Sequence, residues 1–317
     1  MTSEVYFAQR RATQGGGLLE KLEQLCDAAG FGSLIGSGDV VALKVPFGEV
    51  GNTTHLRQQY VQRVVRRIKH YGGRPFVTDT LPPAPSPRRH GVDALLAAAQ
   101  HGFDLATVEA PILMADGLMG RDEVALPTKG EHLDVARVAS GIAQADTVIS
   151  VCHFTGHAST GFAGAIWNLG MGGASLAGKT AILEDGETPV PNGDAAGRDG
   201  MQERLVEALG GILLAKPRRV GFVNLLIDLT PEFDDQAWSD AAIAPDIGIL
   251  ASRDPIALDQ ASLDLLNQTT GIPGTRLTDP AAKDKLRDLY PQTDWEIQLR
   301  YAESLGLGTR DYELMII

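Results

Sequence analysis

The chain has 317 residues, 44% of them hydrophobic and 21% charged, with 36 glycines and a net charge of -12. That length supplies core for two packed lobes or one large α/β unit, and the acidic balance argues against general nucleic-acid binding. Cys26 and Cys152 are the only cysteines, which excludes a disulfide framework and any four-cysteine zinc or iron-sulfur site built from one chain.

The first seventeen residues, MTSEVYFAQRRATQGGG, contain no apolar h-region, and no later apolar run reaches the roughly 18 residues of a membrane helix. The expectation is a soluble cytoplasmic protein. Short apolar runs then alternate with helix-period segments, the pattern of an α/β fold with mostly parallel sheets and flanking helices. Strands are predicted at Val40 to Val45, Pro75 to Asp79, Pro111 to Ala115, Thr147 to Cys152, Val220 to Ile227 and Ile247 to Ala251. Gln58 to Tyr71 reads as an amphipathic helix. Val61, Val64, Val65 and Ile68 share one face, Arg63, Arg66, Arg67 and Lys69 form the solvent face, and Gly72-Gly73 ends it. Leu81 to Pro87, LPPAPSP, and Thr188 to Gly200, TPVPNGDAAGRDG, read as loops. The second is the expected boundary between an N-terminal lobe, residues 1–190, and a C-terminal lobe, residues 191–317, around a cleft. Asp254-Pro255 predicts a helix start, with the aspartate as N-cap and proline at the first helical position.

The most informative stretch is Val148 to Lys179, where His153 and His157 follow a predicted strand and six of the eighteen residues from Gly156 to Gly173 are glycine. Glycine at that density costs backbone entropy unless the chain must turn tightly or another group must approach it. Further polar residues fall at the carboxyl ends of predicted strands, where ligands bind in open α/β sheets: Lys44, Asp79 and Asp116. Two histidines in such a place suit a substrate carboxylate, a catalytic proton or a metal. A metal would need a third ligand, for which Asp79, Asp116, Asp234 and Asp235 are candidates. Cys152 is read as a buried strand residue.

Gly173 to Thr180, GASLAGKT, matches the phosphate-loop pattern G-x4-G-K-[ST]. A phosphate loop follows a buried strand and opens a long helix, whereas TAILEDGETP after Lys179 is short and interrupted by glycine and proline. Nucleotide use through Lys179 therefore stands only as an alternative.

KVPFGEVG (Lys44 to Gly51), GRPFVTD (Gly73 to Asp79), DGLMG (Asp116 to Gly120), HASTGFAGAIWNLGMG (His157 to Gly172), Gly178-Lys179, PDIGILASRDPIALD (Pro245 to Asp259) and GLGTRDY (Gly306 to Tyr312) occur in this order. Together they resemble the family called domain of unknown function 362, whose members are described as iron-sulfur centre proteins. The resemblance implies a C-x2-C-x2-C-x3-C-P insert after the glycine loop and a later Cys-Asp-Cys. This chain has TPVPNGDAAGRDG at the first place and Phe233-Asp234-Asp235 at the second, so a cluster is not expected. Trp167 stands where the family has a lysine. A remoter likeness, to lactate racemase, places a histidine before a glycine-rich turn and a lysine holding a nickel pincer cofactor ten residues on. Here the tenth residue after His157 is Trp167, which rules out that attachment and leaves an aromatic ring to fill the space or stack on a planar substrate.

The expected function is that of a cofactor-poor enzyme, of isomerase, lyase or cyclase type and possibly biosynthetic, acting on a small oxygenated or carboxylated molecule by histidine acid/base chemistry at carbon. His157 is the expected acid/base, His153 its orienting partner, Lys44 an anion holder and Asn168 an oxyanion donor. Asp79, Asp116, Thr160, Trp167, Gly164, Gly170, Gly172 and Lys179 are the expected substrate contacts. No cofactor is expected, although a divalent metal is not excluded. No nucleic-acid or membrane partner is expected, and a homodimer is. Three alternatives stand: a metal-dependent oxidoreductase using His153 and His157, an ATP-using enzyme, and a non-catalytic binding protein.

Overall fold

A computed structural model describes residues 2–12, 16–184 and 195–317. In chain order come β1 (Ser3–Gln9), α1 (Leu18–Ala28), β2 (Val40–Lys44), α2 (Gln58–His70), β3 (Arg74–Asp79), α3 (Gly91–Gln100), α4 (Leu105–Val108) and β4 (Ile112–Met114). The antiparallel pair β5 (Glu123–Pro127) and β6 (Val135–Ala139) is followed by α5 (Ser140–Gln144) and β7 (Thr147–His153). Next are the small ribbon β8 (Thr155–His157) and β9 (Gly161–Ala163), then α6 (Ala165–Gly170), α7 (Leu176–Leu183) and α8 (Ala195–Ala215). The chain continues with β10 (Val220–Leu226), β11 (Gly248–Ser252), α9 (Pro255–Gln268), α10 (Lys285–Leu289), α11 (Glu296–Ser304) and β12 (Tyr312–Ile316).

Eight strands form one sheet in the order β12-β1-β11-β10-β7-β2-β3-β4. Five of its seven pairings are parallel, and β11 alone runs against the rest. Alternate residues feed two cores, because strand side chains point to opposite faces. Ala42, Val148, Cys152, Phe222 and Leu250 pack on one side with α6, α8 and α9. Val41, Leu43, Ile149, Val151, Val223 and Ile249 pack on the other with α1 and α2. The architecture is α/β: a mostly parallel central sheet covered by helices on both faces.

All six predicted strands occur, each within a residue or two of its expected bounds. In α2, Val61, Val64, Val65 and Ile68 are buried as its periodicity requires, and Arg63, Arg66 and Arg67 pair with Glu23, Glu109 and Asp27. Asp254 caps α9 through the Ile256 and Ala257 amides. The expected lobe boundary falls at residues outside the described ones. Strands on either side of it share one sheet, with β7 paired directly to β10. Of the loop expected from Thr188 to Gly200, residues 188–194 are outside the described residues, and residues 195–200 begin α8 instead.

From β2 the chain moves outward through β3 and β4, and from β7 it moves the other way to β10. The order reverses between β2 and β7. A crevice opens outside the carboxyl ends of strands at such a reversal, and the polar residues after β2, β3, β7 and β10 converge there.

Candidate functional site

A cleft of about 700 Å³ lies at this reversal. Lys44, Asp79, His157, Trp167, Asn168, Gly172 and Lys179 line it, joined by Arg88 from the proline-rich loop and by Asp234 and Asp235 from the loop after β10. Of the other expected contacts, His153, Asp116, Thr160, Gly164 and Gly170 stand behind the wall.

Lys44, at the end of β2, is buried, and its ammonium reaches Asn168 Oδ1 at 2.9 Å, Asp79 Oδ1 at 3.0 Å and the Val45 carbonyl at 3.3 Å. Three acceptors for three N–H groups leave nothing for a substrate, so Lys44 is a structural tie rather than the expected anion holder. Asn168 is committed in the same way. Its amide donates to Ser150 Oγ at 2.9 Å and to the Val151 carbonyl at 3.1 Å, so it holds Lys44 in place and is not an oxyanion donor. Burial opposes the charge on Asp79, but Lys44, Arg88 and Lys179 outweigh it and hold the carboxyl below its usual range.

The glycines explain how the wall closes. A Cβ at Gly172 would lie 2.6 Å from Lys44 Nζ, and one at Gly170 would lie 2.7 Å from the Leu205 carbonyl. At Gly164 it would meet Asp259, whose carboxylate accepts from the Ala165 and Ile166 amides at 2.7 and 2.9 Å. The start of α6 is therefore sealed, and Gly164 and Gly170 serve close packing where substrate contacts were expected.

The two histidines differ. His153 places Nδ1 2.8 Å from Asp234 Oδ1 and Nε2 2.7 Å from the Ile227 carbonyl. Both partners accept, so both nitrogens donate and the ring is an imidazolium. Burial resists that charge, and the Asp234 carboxylate overrides it, raising the imidazole above its ordinary value. No lone pair remains for a metal or for His157. His153 instead fixes Asp234, whose backbone carbonyl accepts from the Glu49 amide at 2.7 Å.

His157 closes β8. Gly156 before it allows the ribbon to lie against Pro231, whose carbonyl a Cβ would approach to 2.4 Å. The Thr160 hydroxyl donates to the Phe162 carbonyl at 2.7 Å and so accepts from His157 Nδ1 at 2.8 Å. The Thr160 amide, 3.3 Å from the same nitrogen, is the weaker competitor. This assigns the proton to Nδ1 and leaves the Nε2 lone pair on the side of Asp235, whose Oδ2 is 3.9 Å away. Thr160 thus acts through His157. Trp167 lies against the imidazole, with ring centroids 4.1 Å apart, and meets Phe233 edge-on at 6.3 Å. Burial pushes His157 down to about 4 and pushes Asp235 up to about 6. Near neutral pH the pair is an uncharged base beside a carboxyl that exchanges its proton readily.

Lys179 donates to Thr80 Oγ1 at 2.6 Å and to the Leu81 carbonyl at 2.5 Å, and burial pulls its ammonium down to about 8. Asp116 sits behind it, accepts from the Leu81 amide at 2.9 Å, and is raised by burial to about 6. The phosphate-loop reading of this segment fails on context. Helix α6 precedes it where a strand is required, and Gly178 and Lys179 lie inside α7.

Arg88 is the residue the sequence did not single out. Its guanidinium is 5% exposed at the cleft, 3.3 Å from Glu49 Oε1 and 3.8 Å from Asp79 Oδ2, yet Nε and Nη1 make no hydrogen bond. Neighbouring Arg89 is exposed.

The cysteines do not fit a cluster. Cys152 packs on one face of the sheet and Cys26 on the other, both buried, and burial pushes the Cys26 thiol up to about 12 and Cys152 well above its ordinary value. Both stay protonated, whereas iron ligation needs thiolates. Among the described residues no group of three histidine, cysteine, aspartate or glutamate side chains is arranged to hold a metal ion, and no helix is long and apolar enough to cross a membrane.

Fold and site together define a class: an α/β protein with a polar cleft outside the carboxyl ends of a mostly parallel sheet. Residues 41–264, more than half of the chain, match the domain of unknown function 362, and the chain belongs to that family. It is similar to the solved lactate racemase apoprotein from Thermoanaerobacterium thermosaccharolyticum at 12% identity and a TM-score of 0.39, over 72% of this chain and 51% of that one. The chain thus spans about half the length of that structure. No curated protein matches the sequence significantly.

Proposed function

We propose that the cleft is the active site of an enzyme of isomerase or lyase type that moves a proton at a carbon next to a carbonyl or hydroxyl group of a small oxygenated substrate. One observation carries this reading: His157 is the only histidine of its loop with an uncommitted ring nitrogen, and that nitrogen faces Asp235 in the cleft. Nε2 takes the proton from carbon, Nδ1 keeps its hydrogen bond to Thr160, and the resulting imidazolium is stabilised by Asp235. Asp235, raised by burial, then carries the proton to its destination. Trp167 excludes water from one side of the ring and keeps the imidazole neutral between turnovers.

The test follows solvent hydrogen. Small 2-oxo, 3-oxo and 2-hydroxy acids are incubated with the protein in D2O, and loss of the adjacent C–H signal is read by NMR. Exchange by the wild type that falls at least about a hundredfold in His157→Gln supports the reading. Equal exchange by the variant removes His157 as the base, and no exchange of any of these acids removes the carbon-acid chemistry.

A further inference from the structure

Arg88 offers five N–H donors, and among the described residues its buried Nε and Nη1 groups have no hydrogen-bond partner. A guanidinium as deeply buried as this one is ordinarily saturated, because each unpaired donor forfeits the hydration it had in water. Its two carboxylate neighbours leave that deficit in place. Glu49 accepts instead from Ser86 Oγ at 2.7 Å and from the Val50 amide at 2.8 Å. Asp79 accepts from the Phe47 and Thr80 amides at 3.1 and 2.9 Å and pairs with Lys44. Glu49 and Asp79 therefore stabilise the charge of Arg88 and leave its donors free. Lys179, which also lines the cleft, has two of its three N–H groups engaged, by a hydroxyl and a carbonyl.

We propose that Arg88 is the anchor for a carboxylate of the ligand, held by its planar pair of N–H groups, with Lys179 supplying the second contact. The guanidinium fork matches a carboxylate in two parallel hydrogen bonds. Asp79 and Glu49 at the wall, with Asp116 behind Lys179, leave no surplus of positive charge for a phosphate dianion, so the ligand is a small monocarboxylate. This anchor refines the substrate class of the reaction proposed above, on which that part rests. The binding itself does not depend on His157 being a base.

Binding is measured by calorimetry on the full chain with sodium pyruvate, sodium lactate, lactamide and inorganic phosphate as probes. Pyruvate or lactate is expected to bind, with lactamide and phosphate at least about tenfold weaker. Arg88→Gln is expected to lower carboxylate affinity by roughly a hundredfold, and Arg88→Lys by less, since the charge stays while the fork is lost. Should Arg88→Gln fail to fold around an unpaired Glu49, the double variant Glu49→Gln with Arg88→Gln removes both charges together and serves in its place. His157→Gln is expected to bind as the wild type does. That separates the two ideas: binding kept with exchange lost in His157→Gln supports both, and binding without any exchange supports the anchor alone. Carboxylate binding unchanged in the Arg88 variants, equal binding of lactamide, preference for phosphate, or no binding of either carboxylate overturns it.

Discussion

His153 and His157 sit four residues apart on one connection, and the structure gives them opposite chemistry. His153 is surrounded by acceptors and carries its charge as part of the framework. His157 lies against the Trp167 ring and the Thr160 hydroxyl, keeps 12% exposure, and stays neutral. Residue type and spacing are the same for both. What separates them is whether each ring nitrogen meets a group that commits it, and that is decided largely by a segment distant in sequence, which brings Ile227 and Asp234 to one and Asp235 to the other.

Exchanging the two effects should be impossible, and this gives the sharpest test. His157→Gln should cut proton exchange by about 100- to 10,000-fold with little change in urea denaturation. His153→Gln should instead destabilise the fold by about 3 kcal/mol, because it strands the buried Asp234 carboxylate without its cation. If the denaturation midpoints of the two variants fall together, the division between framework and reacting histidine is wrong. Smaller effects should follow with pH, and their signs differ. The folded value of His157 is depressed to about 4, so the unfolded chain binds more protons from about pH 6.5 downward, and stability from this residue falls as pH drops through that window. His153 is raised, so its contribution is full below about pH 6.5 and is lost as pH climbs through its folded value. Stability curves of the two variants against pH should each lose one of these slopes, and NMR of the imidazole carbons should show one ring charged and one neutral at pH 6. Carboxylate affinity should weaken above about pH 8 as Lys179 releases its proton. The least change is expected from Trp167→Phe, which admits water beside His157. It should move the imidazole toward its ordinary value and alter exchange by less than about tenfold.

Much of the sheet was legible because its central strands are short continuous apolar runs that end in polar turns. β1 and β12 were not, since SEVYFAQ mixes exposed and buried positions and YELMI has no buried position at all. At the site, Lys44, Asp79 and His157, which follow predicted strands, all line the cleft. Sequence position could not show that Lys44 and Asn168 would saturate each other, nor that Asp259, 94 residues beyond Ala165, would cover the start of α6. Arg88 was invisible for a related reason. In PSPRR the two arginines are equivalent as letters, and only the fold turns Arg88 inward and Arg89 out.

The reversed strand β11 has a consequence for the order in which the molecule is built. Among the described residues β1 pairs with β11 and β12 alone, with Tyr6 opposite Ala251 and Ser3 opposite Tyr312. On a chain made from its N-terminus, the earliest strand of this sheet has no partner until nearly all the others have been translated. The cleft-forming strands β2, β3 and β4 can pair among themselves long before that. Assembly should therefore start around the cleft and finish at the opposite edge of the sheet, with β1 the segment that waits longest as an unpaired edge open to wrong partners.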